Sequence, residues 1–110
     1  MKVEYLLENL KFNDDHPHAE TIFNNETSKV IRFCLKPGQE IKEHQAHRYK
    51  LNIIVLRGKG IFAGGDGQER CFYPLTLLQF EVNELHKVSA IEEELVFIAF
   101  LDEPKIVEKI

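Results

Sequence analysis

No apolar run in the 110-residue chain approaches the roughly 18 to 20 residues that a membrane helix needs. The first residues, Met1-Lys2-Val3-Glu4-Tyr5, lack the apolar core of a secretory signal. A cytoplasmic location is therefore expected, with no membrane partner. Basic clusters are missing too: 14 lysines and arginines stand against 18 aspartates and glutamates, a net charge of −4. A nucleic-acid surface needs a positive face to release counterions, so no nucleic-acid partner is expected. The only cysteines, Cys34 and Cys71, have no C-x-x-C spacing, which argues against a zinc knuckle or a redox pair. Buried reduced thiols are the expectation for both. No G-x-x-x-x-G-K-[ST] stretch offers a phosphate cradle.

What remains is almost wholly β. At 12.8 kDa the chain is the size of one domain, residues 1–110, with one core. Val3, Leu6, Leu7 and Leu10 fall at helical spacing and predict a short N-terminal helix or turn. The loop Asn13-Asp14-Asp15-His16-Pro17-His18 follows, and its histidines read as solvated because proline and the acidic turn interrupt any ligand pair. Strands are predicted over 19–23 and 28–36, rich in β-branched and aromatic residues and joined by an Asn24-Asn25 turn. Further strands are predicted over 51–56, 61–63, 71–73, 75–82, 86–91 and 94–101. Leu51 to Leu56 is apolar at five of six positions, which predicts burial on both faces or against a second copy. Ile106, Val107 and Ile110 form an apolar tail suited to pairing with a sheet edge. Eight or nine short strands at near-regular spacing predict an all-β jelly roll or small barrel.

The chain is organised around residues 38–58, where His44 and His47 precede an apolar run ending in Gly58. His86 lies in another strand-like segment, and a β-fold can bring these residues together. Side chains alternate along a strand, so His44 and His47, three apart, point opposite ways unless a β-bulge near Ala46 restores a shared face. The plainer reading makes His44 and His86 hydrogen-bonded pocket residues without a metal, able to read a ligand hydroxyl or carboxylate. Arg48, Tyr49 and Gln79 are further candidates for the pocket wall.

These segments resemble the two motifs of the cupin superfamily, and the likeness covers nearly the whole chain. Gly38 and His44 have the separation of the first motif, and Ile53-Ile54-Val55-Leu56-Arg57-Gly58 looks like its closing strand. Leu77 to Leu85 followed by His86 resembles the second motif. Ala46 stands where the second histidine of the pair belongs, with His47 one residue late, and no acidic residue lies between His47 and Gly58. The resemblance implies a small single-domain cupin, a double-stranded β-helix, with a degenerate first motif. It also implies one divalent transition metal (Fe, Mn, Ni or Zn) on His44, His86 and His47, with Gln39, Glu43, Gln79 or water in place of the missing glutamate. The leading expectation is a homodimeric small-molecule-binding domain with a histidine-lined pocket and no assigned catalysis. The alternatives are a metal-dependent dioxygenase, isomerase or sugar-modifying enzyme, and a structural or partner-binding barrel.

Overall fold

Alternation of apolar and polar side chains sets the architecture. The computed structural model describes residues 1–104, so the tail carrying Ile106, Val107 and Ile110 lies outside the described residues. Nine strands form: β1 (His18–Asn24), β2 (Ser28–Leu35), β3 (Glu40–Gln45), β4 (Lys50–Arg57), β5 (Gly60–Ala63), β6 (Arg70–Phe72), β7 (Leu77–Phe80), β8 (Leu85–Ala90) and β9 (Leu95–Asp102). They build a five-stranded sheet in the order β1-β2-β9-β4-β7 and a four-stranded sheet in the order β3-β8-β5-β6, with every pairing antiparallel. The two sheets face each other across Leu35, Leu51, Ile53, Val55 and Phe97 from one and Phe62, Val88 and Ala90 from the other. The jelly-roll expectation therefore holds. Of the expected N-terminal helix or turn, the turn forms: residues 5–8 are closed by the Glu8 amide donating to the Tyr5 carbonyl at 3.1 Å.

The strand buried on both faces is β9, not β4. Leu95 to Ala99 are all at most 3% exposed, because β9 sits in the middle of the larger sheet between β2 and β4. In β4 only Leu51, Ile53 and Val55 are buried, and Ile54 and Leu56 on the outer face are half-buried. That outer face also carries Arg32, which pairs in register with Ile98 and is 2% exposed. Its guanidinium donates to the Leu6 and Glu8 carbonyls (3.2 and 3.3 Å) and to the Glu20 carboxylate (2.9 Å). A buried cation without partners would be severely destabilising. Here its partners tie the N-terminal segment over the sheet.

Of the two thiols, Cys34 is buried as expected, and desolvation pushes its pKa up. Cys71 is exposed, a correction to the sequence reading: β6 is an edge strand of three residues, and its Cys71 side chain faces away from the Phe72 contact with Phe62.

Candidate functional site

Strands β3 and β8 pair so that His44 and His86 stand directly opposite each other. Ile41 pairs with Val88 on the core side, and strict alternation would turn His44, three residues on, to the other face. The register slips between Ile41 and His44, however, and this β-bulge turns His44 to the cavity side of the sheet, where it stays exposed to solvent. The bulge thus lies before His44, not near Ala46. His47 reaches the same cavity by another route, the tight β3–β4 turn, in which the Tyr49 amide donates to the Ala46 carbonyl (3.2 Å) and Arg48 takes a positive φ of 74°. On the β8 side, Glu84 fixes the entry to the strand. Its carboxylate accepts the Gly65 and Glu81 amides, each at 2.8 Å, across a turn whose Asn83 has φ 65°.

The paired imidazoles occupy one wall of a cavity of about 330 Å³ between the sheets. Ile31 and Phe33 from β2, Leu51 and Ile53 from β4, Phe97, Ala99 and Leu101 from β9, and Val88 from β8 make the rest mostly apolar. The polar lining consists of His44, Gln45, His47, Tyr49 and His86; among the described residues no lysine, arginine, aspartate or glutamate lines it. His44 Nδ1 lies 3.0 Å from the Lys42 carbonyl, and His86 Nδ1 lies 3.2 Å from the Glu84 carbonyl. A carbonyl only accepts, so each of these contacts is a hydrogen bond only in the Nδ1–H tautomer. Both Nε2 atoms then present lone pairs in the neutral rings, and they face each other at 3.0 Å. Two acceptors at that separation require a proton or a donor between them. Burial pushes the His86 pKa down, the Glu84 carbonyl opposes this, and the His44 ring adds to the lowering.

The sequence candidates thus divide. His44, His86, His47 and Tyr49 line one cavity. Arg48 turns away to an ion pair with Glu103, and most of its side chain is in solvent. Gln79 donates to the Asn52 side chain (3.0 Å) and borders a separate shallow cleft near Asp66 and Arg70. Missed by the sequence reading were the apolar wall and the anchoring role of Glu84. The alternation of Ile31, Phe33 and Leu35 carried the signal for the wall, while nothing in the sequence distinguished Glu84 from a solvated turn residue.

No sequence-family model and no curated protein matches the chain. Solved structures do. An RmlC-like cupin protein from Desulfovibrio desulfuricans is 28% identical, with 96% of this chain and 99% of that one covered at a TM-score of 0.84. The chain shares the double-stranded β-helix fold of these cupin proteins. An uncharacterised double-stranded β-helix protein from Klebsiella pneumoniae is similar at 16% identity, 94% and 90% coverage and a TM-score of 0.85. KdgF from a Halomonas species superposes at 0.74, with 14% identity over 84% of each chain.

A cupin fold raises the question of a metal, and the donors here meet only part of the requirement. Imidazole–metal bonds of about 2.0–2.1 Å place two nitrogens on one ion roughly 2.9–3.4 Å apart. The 3.0 Å between the Nε2 atoms lies in that range. Yet among the described residues no three histidine, cysteine, aspartate or glutamate side chains group closely enough to hold an ion. His47 therefore does not join the pair as a third ligand. Gln39 is engaged by the Lys36 amide and the Asn13 carbonyl, and Glu43 is exposed. Catalytic metal sites keep about three protein ligands, so the residues present do not make one.

Proposed function

We propose that this cupin domain binds a small molecule in the cavity between its sheets, anchored by His44 and His86. The observation that carries the reading is the meeting of the His44 and His86 Nε2 atoms at the wall of a largely apolar space of about 330 Å³. Binding pockets combine apolar walls with a few converging polar groups, and volumes from about 300 Å³ upward are usual. His47 and Tyr49, on the β3–β4 turn, supply the adjustable part of the wall. Catalysis is no part of this reading.

A thermal-shift screen of small neutral molecules tests it, with Ala99→Leu, which fills the cavity, as control. Ala99 is 3% exposed and lines the space. Hits that stabilise the wild type and are lost in Ala99→Leu support the reading. Hits that persist unchanged in the filled variant, or the absence of any hit, count against it.

A metal-dependent enzyme is the second reading, favoured only by the Nε2 separation. Elemental analysis of protein purified without a histidine tag decides it. About one equivalent of Fe, Mn, Ni or Zn, lost in both His44→Ala and His86→Ala, supports the enzyme; metal-free protein that still binds ligand removes it.

The same reading includes a homodimer through the outer face of the larger sheet. Half-buried Ile54 and Leu56 there lie near Leu77 and Leu75, which are 63% and 84% exposed. Free thiols at Cys34 and Cys71 suit a reducing cytoplasm. Light scattering that finds a monomer at micromolar concentration ends the dimer.

A further inference from the structure

The neutral histidine pair is short of one hydrogen. With both Nδ1–H groups donating to backbone carbonyls, reversing the His86 tautomer gives up the part-buried bond to the Glu84 carbonyl, and reversing His44 gives up the exposed one to Lys42. What the paired imidazoles offer the cavity in this tautomer is acceptor capacity, while His47 and Tyr49 on the turn can donate. A ligand that brings a hydrogen-bond donor removes the lone-pair conflict, whereas a ligand oxygen without hydrogen adds to it.

The walls narrow the class further. With no acidic side chain among the described lining residues, a cationic donor such as an ammonium group would lose its water without an opposing charge. With no lysine or arginine there, a phosphate or sulfate would do the same. A neutral hydroxyl meets neither penalty. The size of the apolar space sets the rest of the molecule: a cavity of about 150 Å³ holds benzene, and this one is about 330 Å³.

From these relations, and resting on the pocket reading above, we infer that the ligand is a largely apolar molecule of roughly a dozen non-hydrogen atoms whose hydroxyl, phenolic or enolic, donates to the His44–His86 pair. The chemistry excludes phosphorylated sugars and other polyanions from this cavity.

Isothermal titration with 4-butylphenol, its methyl ether and butylbenzene tests the inference, because the three share a butylphenyl body and only the phenol carries a hydrogen-bond donor. On the wild-type protein 4-butylphenol is expected to bind about 10-fold tighter than either analogue, the worth of one good hydrogen bond to a buried acceptor. In His44→Phe that preference falls to within about 2-fold, and butylbenzene affinity is kept or improved. His44 is on the exposed side of the pair, so this variant does not threaten the core. Equal binding of all three probes to the wild type overturns the hydroxyl preference and leaves the pocket reading intact. No binding of any probe overturns the pocket reading itself, and this inference with it. Retention of the 10-fold preference in His44→Phe also overturns it.

Discussion

His44 and His86 are register partners on adjacent antiparallel strands, and their Nε2 atoms stand 3.0 Å apart because a β-bulge rotates His44 inward. The two rings also meet edge to face, with centroids 4.0 Å apart, and Phe80 packs at 5.4 Å from the His86 ring. The pair is thus held by backbone carbonyls behind and by an aromatic beside it. Its members act as one group, which sets the form of the first expectation.

Substituting either histidine by alanine is expected to weaken ligand binding by about the same factor, and the double variant by little more than either single one. Groups that work as a unit are not additive. Titration of 4-butylphenol into the two single variants and the double variant measures this; additive losses would show two independent contacts.

Stability should fall as pH drops below about 6.5. Burial holds the His86 pKa under its ordinary value, so between that value and the folded one the unfolded chain binds the extra proton and the native state does not. The stability lost grows through this window and levels off below the folded pKa. Urea unfolding from pH 8 to 5 for wild type and His86→Phe checks it. The variant is expected to show a flatter profile, and parallel profiles would deny His86 the effect.

Gly58 takes φ 75° where β4 ends, and a Cβ there would run into the Glu94 carbonyl oxygen. Gly58→Ala is expected to cost at least about 2 kcal/mol, combining a left-handed backbone with a clash against main chain that cannot rotate aside. Chemical denaturation measures the cost.

Arg32→Met should release the N-terminal segment. The substitution keeps most of the buried aliphatic volume and removes the donors to Leu6, Glu8 and Glu20. Glu20 is partly exposed and can rehydrate, so the loss is set at about 1–3 kcal/mol. Hydrogen exchange at the amides of residues 4–8 is expected to speed up far more than exchange in β9.

Much of this architecture is legible in the sequence, because period-two alternation in β4 and β8 survives as burial. The site is only half legible. His44 and His86 announce themselves as histidines in strand-like segments, but the inward turn of His44 depends on a slip at Lys42–Glu43 that no residue type marks. Arg48 was misplaced because a positive-φ turn swings it toward Glu103, and Gln79 because one position of register along β7 separates the inner face from the outer. The burial of β9 rather than β4 reflects strand order, which pairing decides and local composition does not.

Long-range ¹H–¹⁵N NMR of the histidine rings at pH 8, with and without 4-butylphenol, addresses the paired acceptors most directly. The expected result is Nδ1–H tautomers for both His44 and His86, with lone-pair Nε2 signals that move on adding the phenol while those of His16 and His18 stay in place. An Nε2–H tautomer at either ring, or Nε2 signals indifferent to a bound phenol, would contradict the site.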